Sequence, residues 1–116
     1  MTHQIKRGEI YYTDLDPTQG SEQDGYRPCL IVQNDRGNTH SPTTQIVPLT
    51  TQSKKSNLPT HVLISKSCGL DTSSIALVEQ LRTVDKIRLG EYVGCIGAAE
   101  QAAIDKALLI SVGVMV

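Results

Sequence analysis

The chain has 116 residues, with 11 Lys+Arg against 12 Asp+Glu, 39% hydrophobic residues and 3% aromatics, all of them tyrosine. A chain of this size buries roughly 65% of its unfolded surface, enough for one core and not two, so a single domain spanning residues 1–116 is expected. Ordinary apolar content and a net charge of −1 exclude intrinsic disorder and a global basic field for nucleic acid, so any nucleic-acid contact must be local.

The opening MTHQIKRGEI is too polar for a signal-peptide core, and the apolar tract 107–116 is interrupted by Ser111 and Gly113. The expectation is a cytoplasmic protein that does not enter membranes. Residues 9–15 (EIYYTDL) alternate as a strand, ended by Asp16-Pro17. Gly20, Asp24 and Gly25 then punctuate a polar loop longer than a hairpin needs, and such loops are often functional. Arg27 precedes Pro28 and is biased toward extended geometry, and 29–32 (CLIV) reads as a buried strand with the proline near its start. Asn34, Gly37, Asn38 and Ser41-Pro42 predict a second loop, and 44–49 (TQIVPL) predicts a strand in which Pro48 marks an edge or a bulge. A third loop carries Lys54-Lys55 and ends in Leu58-Pro59. Short strands follow at 61–64 and across the run 75–83, whose period is ambiguous. A helical turn over 84–89, a last strand at 92–96 and a helix over 98–112 complete the reading. In that helix Ile104, Ala107, Leu108, Ser111 and Val112 form a narrow apolar stripe. Several short strands with one terminal helix make a mainly antiparallel β fold with helical decoration.

Cys29, Cys68 and Cys95 form no CxxC pair, and their odd number argues against a disulfide framework; they read as buried small apolar residues. His3, His40 and His61 share no metal-ligand spacing and read as surface or loop residues. No metal or other cofactor is expected, and the common nucleotide-binding and hydrolase signatures do not occur.

The chemistry is therefore sought in loops. The first, 20–28 (GSEQDGYRP), gathers hydrogen-bonding side chains between glycines and delivers an arginine where a strand begins. A guanidinium held there has the planar donors to fork onto two phosphate oxygens, although an ordinary surface arginine fits the same pattern. Thr50 ends a strand and would bring a hydroxyl near Arg27 if the strands adjoin. Lys54-Lys55 supplies local positive charge, and Tyr26 is the best-placed ring for stacking a base.

These segments taken together resemble the MazF/PemK family of toxin endoribonucleases, close to its EndoA-type Gram-positive branch. The likeness is carried by 7–11 (RGEIY), 20–23 (GSEQ), 25–28 (GYRP), 33–35 (QND), 41–43 (SPT), 58–62 (LPTHV) and 79–83 (EQLRT), and it covers nearly the whole chain. The resemblance implies an SH3-like β-barrel with short helices and a C-terminal helix. It implies a homodimer that cuts single-stranded RNA at a short sequence without a metal, and a cognate MazE-like antitoxin. Arg27 falls on the family's catalytic arginine and Thr50 on its catalytic threonine. Ser21, Glu22 and Gln23 fall on the segment that contacts RNA, and Leu58, Pro59, Glu79 and Gln80 on positions that help line the groove. Asp24, Tyr26 and Cys29 depart from close relatives, which bears on base preference more than on chemistry.

RNA cleavage by the ribose 2′-OH needs that hydroxyl deprotonated, the leaving 5′-oxygen protonated and the charge on phosphorus stabilised. Arg27 suits the last task and is a poor proton donor. Thr50 has one hydrogen bond to give to a phosphate oxygen, which leaves Glu22 as the candidate for proton transfer or for orienting the 2′-OH. Two other classes compete: a gyrase-poisoning toxin of CcdB type, whose C-terminal residues would act and in which Arg27 is dispensable, and a passive RNA- or protein-binding barrel.

Overall fold

The computed structural model describes residues 4–51 and 58–116. Seven strands, β1 (Glu9–Asp14), β2 (Tyr26–Ile31), β3 (Thr43–Thr50), β4 (His61–Ile64), β5 (Ser74–Leu77), β6 (Arg82–Asp85) and β7 (Leu89–Cys95), form one antiparallel sheet in the order β4-β5-β3-β2-β1-β7, with β6 paired to β3. Two helices, α1 (Asp35–His40) and α2 (Ala98–Ser111), complete the fold. The expected mainly β architecture with a C-terminal helix is what forms; the sheet is strongly folded and barrel-like without closing on itself.

The centre of the sheet is apolar on both faces, which is why 29–32 reads as an unbroken hydrophobic run. On one face Ile10, Leu30, Val47, Leu49, Ile64 and Val78 pack with Ile104 and Ala107 of α2. On the other, Ile5, Tyr11, Leu15, Cys29, Ile31, Ile46 and Val84 form a second cluster. Only the first half of the α2 stripe is used: Ile104 and Ala107 are buried and Leu108 packs beside them, while Val112 is 62% exposed. Glu100 fixes the start of α2, accepting from the Gly97 N–H at 3.2 Å and the Ser65 N–H at 2.9 Å. Arg7 ties the helix to the sheet through Asp105 at 2.7 Å and the Val32 carbonyl at 2.9 Å.

The prolines sit where the ladder has gaps. On one edge β3 pairs with β6 through Thr43–Ile46 and with β5 through Leu49–Thr50, so Pro48 falls between the two pairings. It opposes Cys29 on the other edge, and the expected outer-edge or bulge position is instead a gap inside a central strand. Pro28 is the third residue of β2, which pairs with β3 only from Cys29 onward.

The segment read as a second loop contains α1. Asn34 caps it, its side chain accepting from the Gly37 N–H at 2.8 Å. Buried Asn38 replaces the missing propensity with tertiary bonds: its amide donates to the Gln33 carbonyl at 3.0 Å, and its side-chain oxygen accepts from Thr44 at 2.7 Å and Gln33 at 3.0 Å. The run 75–83 is two strands broken by a 3₁₀ turn, Val78–Gln80, because β5 and β6 pair with different stretches of β3. A second 3₁₀ turn, Lys86–Arg88, is shorter than expected, and β7 begins at Leu89 rather than 92. Gly94 of β7 lets the turn after β4 approach closely, since a Cβ there would lie 1.8 Å from the Cys68 carbonyl oxygen.

Two residue assignments change. Cys29 and Cys68 are buried, but Cys95 is exposed. His61 is no surface residue: its ring is 1% exposed and lies 3.0 Å from Glu79.

Candidate functional site

Arg27 is the second residue of β2, opposite Thr13 of β1. Its Nε donates to the Asp24 carbonyl at 2.7 Å and Nη1 to the Leu49 carbonyl at 3.5 Å. The Asp24 carboxylate is 3.8 Å from Nη2, a loose pair that leaves most of the guanidinium charge uncompensated. The side chain is 27% exposed, so it is held by the backbone and still reachable. The Leu49 contact sets it beside Thr50, the buried last residue of β3. Continuing the Cys29↔Pro48 register by two residues aligns Arg27 with Thr50 across the two strands. The sequence condition that these strands adjoin is thus met.

Next to this pair a groove of about 690 Å³ runs between the β1–β2 loop and the Val78–Gln80 turn, over Leu15 and Pro48. Ser21, Glu22 and Gln23 form one wall, and Glu79, Gln80 and Arg82 the other. The two walls are joined. Gln80 accepts from the Gln23 N–H at 2.8 Å through Oε1 and reaches the Ser21 carbonyl at 3.5 Å through Nε2. Glu22 is held in its own turn, accepting from the Gln19 N–H at 2.8 Å, and its carboxylate remains exposed. Glu79 accepts from Thr60 at 2.9 Å and sits 3.0 Å from the His61 ring. Partial burial pushes its carboxyl pKa up, but the bonds from His61, from its own N–H and from Thr60 outweigh this and hold it below the ordinary range. Beneath Arg27, burial pushes the Cys29 thiol up to about 12 despite lowering by Thr13, Arg27 and Arg82.

Five sequence candidates therefore meet in the groove: Ser21, Glu22, Gln23, Glu79 and Gln80. Arg27 and Thr50 stand beside it. Others do not join them within this chain. Tyr26 follows the strand alternation to the opposite face from Arg27, where its ring stacks on Tyr12 at 5.2 Å and its hydroxyl accepts from the Glu91 N–H at 3.4 Å. Pro59 lines a separate apolar cleft between β4 and α2, and Leu58 begins the turn leading into it. Lys54 and Lys55 lie outside the described residues. Two residues escape the sequence reading, Arg82 in the groove wall and His61, which lies 3.0 Å from Glu79 and lines the separate cleft. The i, i+2 spacing of Arg82 and Val84, which sets them on one face of a strand, was a signal for the first, whereas nothing local marks the burial of the second. Among the described residues no three His, Cys, Asp or Glu side chains gather as a metal site, and no helix is long and apolar enough to cross a membrane.

A small folded antiparallel sheet with one packed helix, carrying a reachable, backbone-anchored arginine at a strand start beside a polar groove, defines the class as a compact β protein of barrel-like fold. The sequence profile of PemK-like, MazF-like toxins of type II toxin–antitoxin systems matches residues 6–112, and the chain belongs to that family. The Endoribonuclease MazF of Staphylococcus epidermidis is 46% identical over 110 residues, 94% of this chain and 92% of the relative. Among solved structures, an endoribonuclease in complex with its cognate antitoxin from Mycobacterial species superposes with a TM-score of 0.82 at 29% identity, covering 97% of this chain and 98% of that one. MazF from Deinococcus radiodurans shares the fold, with a TM-score of 0.84 at 24% identity over 97% of this chain and 99% of that one.

Proposed function

We propose that this chain is a cytoplasmic endoribonuclease, the toxin half of a toxin–antitoxin pair, cutting single-stranded RNA in the groove beside Arg27. The observation that carries the reading is the guanidinium anchored at 2.7 Å on the Asp24 carbonyl, with the Leu49 carbonyl 3.5 Å away, next to Thr50 at the edge of a groove walled by hydrogen-bonding side chains. The 46% identity to an endoribonuclease over most of both chains supports it.

In this reading the ribose 2′-OH attacks the adjacent phosphorus, forming a 2′,3′-cyclic phosphate as the bond to the 5′-oxygen breaks, and the departing 5′-oxygen takes a proton from solvent to leave as a hydroxyl. Arg27 clamps the charge that accumulates on the phosphate oxygens, with an orientation fixed before substrate arrives. Thr50 gives a further hydrogen bond to that phosphate. Glu22, exposed at the groove wall, takes or orients the 2′-OH proton. Ser21, Gln23, Glu79 and Gln80 shape the base-binding walls, with Tyr26, Leu58, Pro59, Lys54 and Lys55 serving flanking nucleotides. The working unit is a homodimer. A MazE-like antitoxin with an acidic tail covers the groove.

The test is direct. Purified protein is incubated with one long RNA and the new 5′ ends are mapped. Cuts clustered at a short shared sequence, lost in Arg27→Ala, are expected. A gyrase inhibitor or a passive RNA binder would leave the RNA intact.

A further inference from the structure

Arg82 is the one cation among the described residues lining the groove. It is half-buried, and its hydrogen bond from Nη1 to the Leu15 carbonyl, at 3.1 Å, occupies one of five N–H donors. The ion pairs formed among the described residues are Arg7–Asp105, Arg27–Asp24 and His61–Glu79, so Arg82 has no carboxylate counter-ion there. A partly desolvated guanidinium without a counter-ion is a site awaiting an anion.

Its place in the sheet says which anion. Arg82 opposes Ile46 on one edge of β3, and the β2 register aligns Arg27 with Thr50 on the other. The two positions are four residues apart along β3, about 13 Å of strand. Strand alternation puts Arg82 on the face of Val84 and Arg27 on the face of Cys29 and Ile31, and all three apolar residues belong to one cluster. Both guanidiniums therefore emerge on the same side, at opposite ends of one short track, with Cys29 close enough to feel both charges.

We propose that Arg82 binds a second backbone phosphate of the RNA, one or two nucleotides from the phosphate clamped by Arg27. This rests on the reading of the groove as the RNA site. The same groove carries the carboxylates of Glu22 and Glu79, each already accepting hydrogen bonds from the protein. Their negative charge opposes a polyanion, so the strand threads between them only where a cation offsets it. With one phosphate forked by each arginine, the path and polarity of the RNA across the groove are set.

The test uses the intact protein and an RNA spanning a mapped cut, with a single 2′-deoxyribose just 5′ of it to prevent cleavage. Binding is followed by fluorescence anisotropy against salt for wild type, Arg82→Gln and Arg82→Lys, on the parent RNA and on copies carrying one neutral methylphosphonate. Arg82→Gln should weaken binding about tenfold or more at low salt and flatten the slope of log K against log salt by about 0.7, the signature of one single-strand phosphate contact. Arg82→Lys should keep the slope while binding less tightly. One methylphosphonate position, distinct from the cut, should weaken wild type and have no further effect on Arg82→Gln. An unchanged slope together with additive methylphosphonate effects at every position would overturn the assignment and leave Arg82 as a prop for Leu15. Thermal unfolding checks integrity; should Arg82→Gln fail to fold, the same scan on Arg82→Lys decides, by whether the coupling at that one position shrinks. Wild type that neither binds nor cuts RNA would instead overturn the groove reading itself.

Discussion

Gln80→Ala separates the wall of the groove from the rest of the fold. The Gln80 side chain is the described hydrogen-bonding link between the Val78–Gln80 turn and the Ser21–Gln23 segment, through one good bond at 2.8 Å and one long contact at 3.5 Å. A bond of the first kind contributes about 0.5–1.5 kcal/mol net, and the second, at the limit of useful geometry, adds little. Truncation should therefore cost at most about 1.5 kcal/mol of global stability, a fall in Tm of a few degrees. Its larger effect is local. Released from Gln80, residues 21–23 should exchange backbone amide hydrogens faster, and kcat/KM on a mapped RNA should fall about three- to tenfold. Gln80→Glu provides the complement: its carboxylate still accepts from the Gln23 N–H, so exchange should stay near wild type, while the added negative charge weakens RNA binding in a salt-dependent way. Unchanged exchange at 21–23 in Gln80→Ala, with unchanged kcat/KM, would refute the claim that this amide organises the site.

Three further outcomes are expected. Arg27→Ala should lower the cleavage rate by roughly two to three orders of magnitude, by analogy with loss of a preorganised oxyanion donor, with Arg27→Lys a poor rescue and Thr50→Ser more active than Thr50→Ala in single-turnover assays. Asn38→Ala strands the buried Thr44 hydroxyl and the Gln33 backbone carbonyl, and should destabilise the protein by about 3 kcal/mol in urea titration. In the native protein one thiol, Cys95, should react quickly with an aromatic disulfide reagent. Cys29 and Cys68 should react only on unfolding, since burial raises their pKa values to about 12 and about 11, with Glu100 adding to the second.

The strands were legible because each is a short apolar or alternating run bounded by Gly, Pro, Asn or Asp. The place of Arg27 at a strand start was legible for the same reason, since a glycine-bounded loop runs directly into that strand. What stayed hidden depends on contacts far apart in sequence. Helix α1 contains Gly37 and Asn38, poor helix formers, and exists because Asn34 caps it and Thr44 bonds Asn38 from the next strand. The break at 78–80 follows from two strands pairing with different parts of β3, a division that no local pattern in 75–83 announces. The bond from the Gln23 N–H to Gln80 spans 57 residues, so the construction of the groove is a tertiary fact. His61 reads as an ordinary histidine until β4 buries it against Glu79.

The account stands most directly on the nucleophile. A chimeric oligonucleotide with a single 2′-deoxyribose immediately 5′ of the mapped cut should bind nearly as well as all-RNA and remain uncut, while the all-RNA control is cleaved in excess EDTA to a 2′,3′-cyclic phosphate and a 5′-hydroxyl. Normal cutting of the deoxy-substituted strand, or loss of all cleavage in EDTA, would contradict it.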